Sequence, residues 1–190
     1  VASAHAAGVV HRDLKPENVF ITSTRLAGEG VLVKVLDFGI AKLHADTSAG
    51  TLPGTLIGSP GYMSPEQARG DANVDHRSDL WALAVLAFRC ATGRTPFAGE
   101  DVTALLLAIL SAEVPRASSL VDGLPRALDG FFERALRRVK EERFQTARGL
   151  ARALREACGA SPVTGAAGAP PEAVATRSGG VDDDKTVATG

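Results

Sequence analysis

The chain has 190 residues, of which 45% are apolar and 23% are charged, and its formal net charge is −1. This length and composition suffice for one ordinary hydrophobic core and exclude a wholly disordered protein. The near-zero charge gives no electrostatic reason to expect nucleic acid as a partner. No apolar run is long enough to cross a bilayer, so no membrane segment is expected within these residues.

The N-terminal part is predicted to contain one helix end and short strands. Gly8 would cap the helix, and strands are predicted at Val9–Val10, Val19–Ile21 and Val31–Leu36. Because the chain begins inside a predicted helix, we expect it to be a fragment of a longer protein. The polar stretch HRDLKPEN lies between the first two strands. A core strand would not tolerate these charges unpaired, so the stretch is predicted to be a loop, where catalytic groups often lie.

The second half of the chain is predicted to be helical. Four helices are expected at residues 79–88, 101–113, 124–138 and 144–158. The first, DLWALAVLAF, is apolar on nearly every side, which predicts a buried central helix. The last two carry apolar stripes at helical spacing. These stripes consist of Leu128, Phe131, Phe132 and Leu136, and of Phe144, Ala147, Leu150, Ala151 and Leu154.

The cysteines and the C-terminal composition bear on compartment and order. Cys90 and Cys158 are far apart, each in an apolar helical pattern. They are predicted to be small core residues of a protein in a reducing compartment, and we expect a cytoplasmic location. Residues 159–190 are rich in Ala, Gly, Pro, Ser and Thr. They have too little apolar bulk to offset their ordering entropy and are predicted to be a disordered tail or linker.

Three motifs follow one another along the chain: HRDLKPEN from His11, DFG from Asp37 and SPE from Ser64. In this order and at these spacings they resemble the protein kinase family. The resemblance covers roughly residues 1–158 and indicates the C-terminal lobe of a bacterial eukaryotic-type (Hanks-type) serine/threonine kinase. The fold class that it implies is mainly α with a few short β-strands, a truncated form of the α+β kinase fold.

The resemblance implies roles in phosphoryl transfer for four residues. Asp13 would accept the proton of the substrate hydroxyl, and Lys15 would offset the charge on the transferred phosphoryl group. Asn18 and Asp37 would supply oxygen ligands to Mg²⁺, which would bridge the phosphates of ATP. ATP and Mg²⁺ are therefore the implied cofactors. Serine and threonine hydroxyls of proteins are the implied acceptors.

Other matches imply regulatory roles. Arg12 would pair with a phosphate on the segment from Asp37 to Glu66, and would thereby order that segment. Thr51 and Thr55 are the candidate sites of this activating phosphorylation. Ser59 stands where the family usually has a threonine that contacts the catalytic aspartate and lysine, and the serine keeps the hydroxyl.

Further matches imply structural roles. Glu66 and Arg143 resemble the family's buried ion pair. Asp79 resembles the residue that holds the catalytic loop through backbone hydrogen bonds. His11 is expected to brace this loop rather than to act as an acid or base, and His5 is expected to be a surface or packed residue.

Part of the family pattern does not occur in these residues. There is no Gly-rich phosphate loop, no strand lysine of the VAIK type and no helix with its partner glutamate. Two hypotheses therefore stay open: a kinase of which this is one lobe, or a catalytically incompetent lobe that acts as a protein-binding module. Thr186, which follows three aspartates, is a candidate docking site for a phosphothreonine-reading partner, and a solvated linker is the alternative.

Overall fold

The computed structural model describes residues 1–24, 30–37 and 60–159, and within these ranges it is mainly helical with one small sheet. The regular elements are α1 (Ala2–Ala6), β1 (Val19–Thr24), β2 (Gly30–Val35), α2 (Pro65–Arg69), α3 (Arg77–Thr92), α4 (Val102–Ser111), α5 (Ala127–Ala135) and α6 (Ala147–Ala157). Short 3₁₀ turns lie at Pro16–Asn18, Pro60–Tyr62, Ala117–Ser119 and Lys140–Glu142. The predicted tail lies outside the described residues beyond Gly159. No helix of the described ranges is long and apolar enough to cross a membrane.

Helix α3 is the axis of the core, as its all-round apolar sequence predicts. Trp81, Val85 and Phe88 have no exposed surface. Phe88 meets Phe132 of α5 edge-to-face with ring centroids 4.9 Å apart, and Trp81 stacks on Phe97 at 5.8 Å. Such aromatic pairs add to the free energy that burial of their area already contributes.

The apolar stripes of the last two helices face this core. All four residues of the predicted α5 stripe are buried. In the α6 stripe Phe144 and Leu150 are buried, and the other three are partly exposed. Helix α6 begins three residues later than predicted, at Ala147, because the Thr146 hydroxyl accepts a hydrogen bond from the Gly149 N–H (3.0 Å) and caps the helix there.

The strand predicted at Val9–Val10 does not form, because the end of α1 uses its backbone. Gly8 has a φ of +75°. Its N–H donates to the His5 carbonyl (3.0 Å), and the Val9 N–H donates to the Ala4 carbonyl (2.9 Å). This pair of bonds is the Schellman arrangement that closes a helix at a glycine. The glycine cap is therefore confirmed, and the strand prediction is wrong.

The two strands that do form pair antiparallel, with Val19 opposite Val35 and Ile21 opposite Val33. Residues at every second position share one face of such a hairpin. On this face Ile21 is 71% exposed, Val31 73% and Val33 57%. The hairpin therefore presents a row of apolar side chains that no described residue covers, which we call the open hairpin face (Ile21, Val31, Val33).

The prediction that Cys90 and Cys158 are core residues is wrong, because both are exposed. Cys90 follows Phe88 by two positions, and that step of about 200° along a helix turns the side chain away from the core. Cys158 lies just past the last residue of α6. Apolar residues lie near both cysteines in the sequence, and for this reason the sequence pattern predicted burial.

Two glycines give a matched test of how closely α4 packs against the chain at Gly99. A Cβ atom on Gly130, inside α5, would meet nothing within 4 Å, whereas one on Gly99 would lie 2.2 Å from the Leu105 backbone nitrogen. We expect Gly130→Ala to raise the free energy of unfolding by about 0.5–1 kcal/mol, because alanine loses less backbone entropy in a helix. Gly99→Ala should lower it by about 1–3 kcal/mol, because α4 must shift.

Urea unfolding of the two variants beside the wild type measures both effects. Equal changes of the same sign would show that α4 does not pack against Gly99 as described.

Candidate active site

Helix α3 holds the backbone at the start of the HRDLKPEN loop. The Asp79 carboxylate, only 1% exposed, accepts hydrogen bonds from the His11 N–H through Oδ2 and from the Arg12 N–H through Oδ1, both at 2.8 Å. Arg12 has a φ of 63°, in the left-handed region that residues other than glycine seldom adopt. The two bonds hold this strained conformation immediately before Asp13.

Three of the residues with implied catalytic roles lie together on this loop. The Lys15 Nζ is 3.2 Å from the Asp13 Oδ2, and the two side chains are 20% and 26% exposed. The buried Asn18 donates from Nδ2 to the Asp13 carbonyl (2.8 Å). This bond orients the amide so that its Oδ1 is the atom available to a ligand. The site thus combines a carboxylate, an ammonium group and an amide oxygen between Asp13 and Asn18.

Asp37 reaches the same region through the hairpin. The Leu36 N–H donates to the Asn18 carbonyl, and the Leu36 carbonyl accepts from the His11 Nε2, both at 2.9 Å. The exposed Asp37 follows directly with a φ of 53°. The backbone before Asp37 is therefore fixed to the loop that carries Asn18. Phe38 and Gly39 lie outside the described residues.

His11 is a brace in the structure. It is fully buried, its Nε2 donates to the Leu36 carbonyl, and its Nδ1 accepts from the Asp13 N–H (3.3 Å). Both ring nitrogens are thereby engaged in holding backbone. The two hydrogen bonds give His11 a bracing role in the loop.

His5 is a residue whose contact the sequence did not reveal. Its Nε2 lies 2.8 Å from the Asp79 Oδ2, and because a carboxylate can only accept, the ring nitrogen donates. His5 therefore ties α1 to the same buried carboxylate that holds the loop. The two residues are 74 positions apart, so no local pattern joins them.

The buried carboxylate of Glu66 joins α2 to Arg143, which precedes α6. Arg143 donates from Nη1 and Nη2 to the two oxygens of Glu66, at 2.9 and 2.8 Å, and its guanidinium lies over the Trp81 ring. The Ser78 hydroxyl also donates to Glu66 (2.6 Å). Burial raises the pKa of Glu66, but the hydrogen bonds from Arg143 and Ser78 outweigh it and lower the pKa to about 2.

The regulatory predictions fall mostly on residues that are not described. Thr51, Thr55, Ser59 and Thr186 lie outside the described ranges. Arg12 is described: its side chain is partly exposed, and its Nη2 lies 3.5 Å from the Val74 carbonyl. Among the described residues there is no group of three or more His, Cys, Asp or Glu side chains that would hold a metal by themselves.

Sequence comparison relates this geometry to known proteins. The family model for the protein kinase domain matches residues 1–153. The chain is 43% identical over 155 residues to the serine/threonine-protein kinase Pkn1 of Myxococcus xanthus, with 82% of the chain and 22% of that protein covered. It is 41% identical over 147 residues to PknL of Mycobacterium tuberculosis, with 77% and 35% covered. The chain thus spans about a third or less of these relatives.

The Glu66–Arg143 pair yields a prediction for stability against pH. Its contribution is fully present above the ordinary Glu66 pKa of 4.5 and is lost as the pH falls to about 2, because the unfolded chain takes up the proton first. Glu66→Gln should lower the free energy of unfolding at neutral pH by roughly 3–5 kcal/mol, because the Arg143 guanidinium stays buried without its carboxylate. The variant should also lose this part of the acid dependence.

Urea unfolding of the wild type and the variant across this pH range measures both changes. The exposed pair Arg137–Glu133 provides the control, since Glu133→Gln should change stability by no more than about 0.5 kcal/mol. An unaltered acid dependence in Glu66→Gln would contradict the assignment.

Proposed function

Because the chain belongs to the protein kinase family, as one of its bacterial eukaryotic-type serine/threonine members, we propose that the protein transfers the γ-phosphate of ATP to serine and threonine hydroxyls of proteins. The observation that carries the proposal is the grouping of Asp13, Lys15 and Asn18 on a loop whose backbone Asp79 holds. Positioning and charge neutralisation are what phosphoryl transfer requires of a protein.

In this proposal Asp13 is the general base, and Lys15 is the cation beside it. The Asp13 carboxylate is partly exposed, so a substrate hydroxyl can approach it, and the Lys15 ammonium lies 3.2 Å away. A proton from the attacking hydroxyl would pass to this carboxylate. The ammonium group would then lie beside the phosphoryl oxygens and offset their charge.

Asn18 and Asp37 have the donor chemistry for magnesium. Both offer oxygen, the ligand that hard divalent cations prefer, and a magnesium ion bound by one or two protein groups takes its other ligands from phosphates and water. The Asn18 amide is fixed by its bond to the Asp13 carbonyl, and Asp37 follows a segment bonded to Asn18. When bound, magnesium supplies positive charge to the phosphates.

A further part of the protein is proposed to complete the nucleotide site. The Gly-rich loop and the strand lysine of the family do not occur in these residues, and the match covers only 22% and 35% of the two relatives. The open hairpin face is apolar and belongs to the hairpin whose second strand ends at Val35, two residues before Asp37, and an apolar row of this kind marks a contact surface. We therefore assign residues 1–158 to the C-terminal lobe and expect a second lobe to cover this face.

Regulation by phosphorylation forms part of the same proposal. Arg12 belongs to the catalytic loop and is partly exposed, so that it could pair with a phosphate on Thr51 or Thr55. Ser59 would contact Asp13 and Lys15. Thr186 is the proposed docking site for a phosphothreonine-reading partner.

The test is the replacement of the proposed base in the intact protein. Asp13→Asn keeps the shape of the side chain and removes the proton acceptor, so the rate of phosphate transfer from ATP to a protein substrate should fall at least 100-fold. Asp71→Asn is the matched control, because Asp71 is an exposed aspartate whose ion pair among the described residues is with the exposed Arg69. Its rate should stay within twofold of the wild type.

Incorporation of radioactive phosphate, measured with and without Mg²⁺, gives the readout. An unchanged rate in Asp13→Asn would overturn the assignment of the base. Absence of transfer by the intact wild type, together with a stable fold and capture of a specific protein, would instead support the binding-module hypothesis.

A further inference from the structure

Gln67 makes a contact with the catalytic loop although it belongs to none of the three motifs. Its side-chain Nε2 donates to the Arg12 carbonyl at 2.8 Å, across 55 positions of sequence. That carbonyl belongs to the peptide unit that links Arg12 to Asp13, and the N–H of the same unit donates to the His11 Nδ1 (3.3 Å). Gln67 therefore holds the peptide plane on which the Asp13 side chain is mounted.

The strained residue Arg12 is thus clamped on both sides by different helices. Its N–H is bound by Asp79 of α3, and its carbonyl by Gln67 of α2. A residue other than glycine stays at positive φ only when its surroundings determine the conformation. With either bond lost, the backbone is free to relax towards the ordinary region, and the direction of the Asp13 carboxylate would change.

The orientation of the Gln67 amide is itself determined by the start of α2. Ser64 caps this helix, and its N–H donates to the Gln67 Oε1 (3.1 Å), while the Gln67 N–H donates to the Ser64 hydroxyl (3.4 Å). This is the reciprocal capping box. Because Oε1 is engaged by the cap, the Nε2 end of the amide must face the Arg12 carbonyl.

A buried chain of hydroxyl groups connects this cap to the ion pair. The Ser64 hydroxyl lies 3.1 Å from the Ser78 hydroxyl, which donates to Glu66. Ser64 and Ser78 are at most 1% exposed, so these bonds are shielded from water. The start of α2 is therefore fixed by Glu66 and Arg143, and Gln67 transmits its position to the loop.

We propose that Gln67 is a positioning residue for the catalytic aspartate. Through its bond to the Arg12 carbonyl, the orientation of the Asp13 carboxylate depends on the position of the N-terminus of α2. The proposal rests on the phosphotransfer function proposed above. It explains why the helix that follows residues 37–59 contacts the loop backbone through a side-chain amide. Displacement of the start of α2 would withdraw the donor from the Arg12 carbonyl and loosen Asp13.

The sharpest variant is Gln67→Glu, studied in the intact protein. Glutamate keeps the size of the side chain and the capping box with Ser64, since carboxylates serve at this position of the box. It removes the donor and places a carboxylate oxygen against the Arg12 carbonyl. Asp101→Ala is the matched control for helix stability, because Asp101 caps the exposed start of α4 (2.7 Å to the Ala104 N–H), far from the loop in sequence.

Two measurements decide the proposal. Hydrogen exchange at the amides of His11, Arg12 and Asp13 should be at least tenfold faster in Gln67→Glu and unchanged in Asp101→Ala. The kcat for phosphate transfer should fall at least tenfold in Gln67→Glu, with the KM values for ATP and protein substrate within twofold of the wild type, because the loss affects the direction of the base rather than substrate binding.

Unchanged exchange in Gln67→Glu would overturn the proposal, and so would faster exchange with an unchanged kcat, since the loop would then tolerate the loss. A thermal shift without either change would mark Gln67 as a structural residue only. If the wild type itself transfers no phosphate, the proposed function fails, and the exchange comparison alone judges whether Gln67 holds the loop.

Discussion

The buried carboxylate of Asp79 is the constraint on which the rest of the site depends. A carboxylate taken out of water costs several kcal/mol unless hydrogen bonds replace its hydration. Here the replacements are the backbone N–H groups of His11 and Arg12 and the ring of His5. A loop conformation that withdrew these two N–H groups would leave the buried carboxylate with fewer hydrogen-bond partners. The strained backbone at Arg12 therefore persists because its relaxation would break these bonds together with the one from Gln67 to the Arg12 carbonyl.

This constraint depends on the packing of α3 in the core. Trp81, Val85 and Phe88 surround its axis with fully buried surface, and α5 packs against it through aromatic contacts. The Glu66–Arg143 pair fixes the other helix that contacts the loop. The polar site is thus anchored to packed helices, and contacts within the loop, such as the bond from Asn18 to the Asp13 carbonyl, complete it. In contrast, the hairpin that leads to Asp37 keeps apolar residues exposed and has less packing to support it.

The parts of this arrangement that were predictable from the sequence are those that depend on local pattern. The apolar runs identified α3 and α5, and Gly8 identified the end of α1. The Val9–Val10 strand was wrong because the Schellman cap uses the Val9 N–H. Contacts between distant residues were not predictable without a resemblance: the motifs pointed to Asp79 and Glu66, whereas His5 and Gln67 belong to no motif that was recognised. The S-x-x-Q spacing of Ser64 and Gln67 is a capping-box signal that could have drawn attention to Gln67.

The most direct test of the account is native-state hydrogen exchange of the His11 and Arg12 amides in the intact protein, compared with amides in the middle of α3. Groups bonded to a buried carboxylate of a rigid helix should exchange only when the helical core unfolds. The account therefore predicts that both amides exchange as slowly as those of α3 and respond equally to denaturant. Exchange that is orders of magnitude faster at the loop would contradict it, because the catalytic loop would then open independently of Asp79.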